Sequence, residues 1–73
     1  MIDLLTIVNT VLENKGLPAI SQLLPHQKLR DDLGFDSFDL AELTVRIEDA
    51  CGIDVFATGI IETVGEIEVK LAA

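Results

Sequence analysis

Asp36-Ser37-Phe38-Asp39-Leu40-Ala41-Glu42-Leu43-Thr44-Val45-Arg46-Ile47-Glu48-Asp49-Ala50-Cys51-Gly52 is the stretch on which the fold turns. At 100° per residue Leu40, Leu43, Thr44, Ile47 and Cys51 fall on one side. That spacing predicts a helix from Ser37 to about Cys51 with this side in the core. Asp36 is the predicted N-cap, Asp39 sits in the first turn where a carboxylate complements the helix dipole, and Gly52 is placed to end the helix at C′. Cys51 reads as a small apolar packing residue, since no cation adjoins it in sequence. The opposite side collects Phe38, Glu42, Val45 and Asp49, an aromatic and a valine within an acidic surround. A helix that needed only solubility has no use for apolar side chains there.

Toward the N-terminus, Leu4, Ile7, Val8 and Val11 recur at i, i+3, i+4, i+7, with Leu5 and Leu12 widening the stripe. This predicts an amphipathic helix capped by Asp3 and closed by Gly16, with Pro18 discouraging continuation. Residues 16–35 carry Gly16, Pro18, Ser21, Pro25 and Gly34 among Leu17, Ile20, Leu23, Leu24, Leu29 and Leu33 without a sustained period. They read as a long ordered loop whose leucines pack onto the helices, and loops beyond about 12–15 residues are usually functional. Beyond Gly52, Asp54-Val55-Phe56 has no second run to pair with as a strand, so a short helical turn is expected near Ala57–Ile61. Thr63-Val64-Gly65-Glu66 fits a capping box opening a last helix, Val64 to Leu71, with Val64, Ile67 and Leu71 inward. The expected fold is all-α: a small four-helix bundle, three main helices plus one short one, with a long loop between helices 1 and 2, in a single domain over residues 1–73.

With 73 residues, 49% of them hydrophobic and 25% charged, the chain has a globular composition and room for only one core. Its net charge is −8. Residues 31–54 hold eight acids against one base, Arg46, which places seven of those negative charges in one segment. That balance argues against nucleic-acid phosphates and anionic lipid, and for partners with basic surfaces. No apolar run approaches the roughly 18 residues of a membrane span, no basic n-region opens the chain, and a single cysteine suits a reducing compartment, so a cytoplasmic protein is expected. No metal is expected either: Cys and His lack zinc spacing, and Asp31-Asp32 and Glu48-Asp49 do not fit the EF-hand pattern. His26, the only histidine, reads as a solvated loop residue.

Ser37 follows a glycine-containing loop at the first turn of a predicted helix, where free N–H groups favour an anionic substituent such as a phosphodiester. It does not read as a nucleophilic catalyst, because no Gly-x-Ser-x-Gly elbow surrounds it and its carboxylate neighbours are poor general bases near neutral pH.

The Asp31-Asp32-Leu33-Gly34 approach, the Gly34-Phe35-Asp36-Ser37-Phe38 segment, the acidic second helix, the Thr63-Val64 start and the total length together resemble an acyl carrier protein over nearly the whole chain. The resemblance implies a non-catalytic protein whose Ser37 carries 4′-phosphopantetheine, donated by coenzyme A through a phosphopantetheinyl transferase. The thiol of that group would hold an acyl or aminoacyl cargo as a thioester. Asp36 would be the motif neighbour of Ser37. Phe38, in place of the family's leucine, would touch partners together with Asp39, Glu42, Val45, Glu48 and Asp49. Those partners would be the transferase, a loading enzyme and downstream biosynthetic enzymes with basic docking patches, engaged by a monomer. An apolar cleft between the helices would shield the acyl chain. Phe38, Arg46 and an Ala57-Thr58-Gly59 segment without the usual acidic, proline-led start depart from the family pattern. These departures point to a specialised lipid, polyketide or amino-acid-activating pathway. The reading from another class is an acidic helical interaction module with no prosthetic group. A small enzyme fits least, because no paired acid and base can be assembled.

Overall fold

Asp3 starts the first helix as its spacing predicts. Its carboxylate accepts the Thr6 N–H at 3.3 Å and the Thr6 hydroxyl at 2.7 Å, and α1 runs Leu4–Asn14 in the computed structural model, which describes residues 3–57, 59 and 61–72. The helix ends in a Schellman arrangement: Gly16 donates to Glu13 O and Leu17 to Leu12 O, at 3.0 and 2.9 Å. Gly16 supplies the left-handed φ of +80° that this turn requires. The second helix, α2, spans Ser37–Cys51 and ends at Gly52, whose N–H bonds Glu48 O at 2.7 Å. The third, α3, spans Val64–Ala72.

Helices α1 and α2 pack on each other, and Val8, Val11, Leu43 and Ile47 are fully buried between the elements. From α3, Val64 and Ile67 join the same core, and Leu71 packs at its edge. The loop of residues 16–35 is ordered onto this core, though unevenly. Leu29, Leu33 and Phe35 are buried and Ile20 and Leu23 partly so, whereas Leu17 and Leu24 face solvent. Asn9 holds the loop by both arms of its amide, donating to Ile20 O at 3.0 Å and accepting from Ile20 N–H at 2.8 Å. A radius of gyration of 11.1 Å matches the roughly 11 Å expected of a folded chain this long, so the loop adds no bulk beyond the packed helices.

The loop also sets where α3 begins. Leu29 N–H bonds Glu62 O, Val64 N–H bonds Gln27 O, and Gly65 N–H bonds Pro25 O, at 2.8, 3.0 and 2.9 Å, around a single antiparallel bridge between Lys28 and Thr63. A β-carbon on Gly65 would stand 2.9 Å from Pro25 O, so only glycine permits this approach.

Four expectations change. Thr58 and Ile60, within the expected short helix near Ala57–Ile61, lie outside the described residues. Among the described residues there are three α-helices, and the segment after α2 is a turn with Ala57 N–H to Asp54 O at 3.2 Å and Gly59 N–H to Phe56 O at 3.3 Å. The Asp54 carboxylate takes the Phe56 N–H at 3.1 Å and Gly59 adopts φ +141°, neither of which extends a helix, so the described bundle has three helices. Cys51 is exposed rather than packed, its thiol donating to Ile47 O at 3.2 Å, because the last turn of α2 runs past the core. At α3 the Thr63 hydroxyl accepts the Glu66 N–H as expected, but the Glu66 carboxylate reaches back to Glu62 N–H instead of Thr63. Finally, the last helix extends to Ala72. No helix among the described residues is long and apolar enough to cross a membrane.

Candidate functional site

The site is built on the first turn of α2. Asp36 accepts the Asp39 N–H at 3.0 Å while its own N–H donates to the Asp39 carboxylate at 2.9 Å, a reciprocal capping box. Ser37 is therefore the first helical residue, and the N–H groups of Ser37 and Phe38 have no acceptor within the helix. The Ser37 hydroxyl is exposed, and its side-chain neighbour is Arg30, with Nη2 3.5 Å from Oγ. From Ser37 an open groove of about 520 Å³ runs between α2 and residues 54–56, past Leu40, Ala41, Thr44, Val45 and Phe56, with Arg30 and Asp54 at its polar edge. An exposed hydroxyl beside a guanidinium, at a helix N-terminus and at the mouth of an apolar groove, fits a phosphodiester-linked arm: the anion meets donors and the arm has a surface to lie on.

Lys15 fixes this turn in space. Its ammonium pairs with the Asp39 carboxylate and stands 3.9 Å from that of Asp36, tying the end of α1 to the start of α2. Asp39, expected among the partner contacts, is instead 8% exposed and spent on this internal network. Burial pushes its carboxyl upward, but the hydrogen bonds from Lys15 and from Asp36 N–H outweigh that and hold it below the usual aspartate range. The bond to Asp39 raises Lys15 correspondingly.

A depressed folded pKa stabilises the fold above the unfolded value, about 3.9, and that stabilisation is lost as pH falls through the folded value. The raised Lys15 leaves the pair intact until pH climbs past about 10. Asp39→Asn keeps an acceptor for Asp36 N–H but removes the charge. We expect it to cost about 1–2 kcal/mol in urea denaturation at neutral pH. The gap to wild type should close as pH falls through the lowered folded value of Asp39. A gap unchanged below that value would show that the carboxylate charge is not its source.

The outward side of α2 carries the apolar pair that its periodicity predicts, with Phe38 85% and Val45 67% exposed. Glu48 and Asp49 are exposed beside them. Glu42, on the same side, is held within the fold as well: its Oε2 accepts from Arg46 Nε at 2.8 Å and from Asn14 Nδ2 at 2.9 Å, and these bonds hold its carboxyl below the usual glutamate range. Neither Arg30 nor Lys15 was marked by motif or periodicity, because each acts on a residue seven or more positions away. A cleft between the helices was expected, but Leu43 and Ile47 on the inner side of α2 are fully buried, and the apolar space beside Ser37 is a surface groove. His26 is exposed, and among the described residues no three His, Cys, Asp or Glu side chains cluster as metal ligands would.

Residues 3–68 match the family model described as "Phosphopantetheine attachment site". The chain is also similar to a protein of Saccharopolyspora erythraea named "Acyl carrier protein", at 41% identity over 63 residues that cover 84% of this chain and 65% of that relative. It thus spans just under two thirds of the relative's length. No solved structure matches it.

Proposed function

Because the chain belongs to the phosphopantetheine attachment site family, we propose that it is a non-catalytic carrier holding 4′-phosphopantetheine on Ser37. The thiol of that group binds an acyl or aminoacyl cargo as a thioester. The observation that carries the reading is the exposed Ser37 hydroxyl on the first turn of a doubly capped helix, opening onto an apolar groove. On attachment, Ser37 Oγ loses its proton and forms an O–P bond to the pantetheine-bearing phosphate of coenzyme A as the pyrophosphate bond breaks and 3′,5′-ADP leaves. A transferase must supply the base, because Asp36 and Asp39 are engaged in the capping box. The groove gives the arm and the first part of its cargo a place to lie, and the departures at Phe38 and Arg46 favour a specialised lipid, polyketide or amino-acid-activating pathway.

The partners are the transferase, a loading enzyme and downstream enzymes with basic docking patches. Phe38 and Val45 form the desolvated centre of the contact, while Glu48 and Asp49 steer association. Intact mass after incubation with coenzyme A and a broad-specificity transferase tests the reading: a gain of one phosphopantetheine is expected. Failure to gain it would favour an interaction module that uses the same face as a stable binding surface. For steering, Glu48→Lys with Asp49→Lys should slow uptake about tenfold at low salt and much less near 1 M salt. Glu42→Gln should slow it less, since Arg46 already offsets that charge. Uptake by the double variant at the wild-type rate in low salt would remove these two acids from the docking role.

A further inference from the structure

Arg30 is anchored from both sides. Leu29 is fully buried and donates to Glu62 O at 2.8 Å, and the carbonyl of Arg30 accepts from Gly34 N–H at 3.1 Å. From this fixed turn the guanidinium reaches Ser37, yet a 3.5 Å contact to a neutral hydroxyl is at the weak limit of a hydrogen bond and leaves most of a five-donor fork unused. The nearby cations differ from it. Lys15 is committed to Asp39 and Asp36, and Arg46 to Glu42, whereas no carboxylate among the described residues lies within 4.0 Å of Arg30. Asp54 shares the groove but stays beyond that distance, its carboxylate accepting from Phe56 N–H.

An anion added at Ser37 enters an acidic neighbourhood, with Asp36 adjacent and Asp54 across the groove. Something must offset that repulsion, and Arg30 is the unpaired cation at the spot. Resting on the carrier reading, we propose that Arg30 is a positioning residue: its guanidinium donates to the phosphodiester formed on Ser37 and directs the arm along the groove between α2 and residues 54–56, away from the Phe38 side. A bond from guanidinium to phosphate oxygen is charge-assisted and can be bidentate, so it fixes direction as well as distance. The N–H groups at the start of α2 add donors on the same anion.

The test uses protein loaded from coenzyme A whose pantetheine is labelled with 15N, as wild type, Arg30→Gln and Arg30→Lys. In the wild type the phosphorus resonance should be displaced from its position in Arg30→Gln. The order parameter of the pantetheine amide nearer the phosphate should fall below about 0.6 in Arg30→Gln. Arg30→Lys should recover part of both effects, because it restores the charge without the fork. Salt near 1 M should move the wild type toward Arg30→Gln. Loaded wild type and Arg30→Gln with the same phosphorus shift and the same arm order would overturn the proposal and leave the carrier reading standing. Changed helix amide resonances in Arg30→Gln would assign Arg30 to the fold and overturn it too. Protein that never acquires the group fails earlier, at intact mass, and takes the carrier reading down with it.

Discussion

Ser37→Ala should gain no phosphopantetheine from coenzyme A under conditions that load the wild type fully, while its thermal melting curve stays where it was. The loss is complete because the hydroxyl oxygen is the atom that forms the bond to phosphorus, and alanine offers no substitute. Stability is spared because capping is done by Asp36, whose carboxylate holds the Asp39 N–H, and not by Ser37. Among the described residues, the one side-chain bond that Ser37 makes is the long contact to Arg30 at the surface. Alanine is also a good first-turn residue, so the change should stay within about 0.5 kcal/mol. Intact mass and a melt on the same sample read both halves. Ser21, the other serine, is exposed in the loop of residues 16–35 and sits at no helix start. If Ser37→Ala were still modified, Ser21 would be the residue to examine and the site assignment would fall.

Ile47→Ala should give the largest loss of stability, about 2–5 kcal/mol. Ile47 is fully buried between α2 and the rest of the core, and alanine would leave a cavity where three carbons had packed. A domain of this size has on the order of 5 kcal/mol to lose, so a drop in melting temperature of roughly 10–30 °C is expected. Two residues earlier, Val45→Ala should barely move the melt, because Val45 is exposed. Its effect should appear as slower uptake of phosphopantetheine from the transferase. The pair tests the division of α2 into an inner and an outer side. Equal melting temperatures for the two variants would contradict it.

The inner and outer sides of α2 could be read from spacing, and so could its limits, because a capping aspartate bonds a backbone N–H only three residues on and a closing glycine acts within its own turn. Asp3, Asp36, Gly16 and Gly52 all act at that range. The same reasoning misjudged Cys51, because periodicity assigns a direction but not where along the helix the core stops. It could not show which groups hold Asp39 and Glu42, for a different reason. A carboxylate looks the same in sequence whether it is solvated or bonded to Lys15, Asn14 or Arg46, and the first two of these arrive from the C-terminal end of α1.

The sequence by itself determined three helices, the caps of the first two, the apolar patch at Phe38 and Val45 and the serine at the head of α2, since each rests on interactions within a turn or two of the chain. Only the tertiary structure decided which acids remain free to face a partner, that residues 25–29 hold the start of α3, and that Arg30 stands unpaired beside Ser37. Those features depend on how separate segments meet as they bury one shared core, and no local period or cap encodes that meeting.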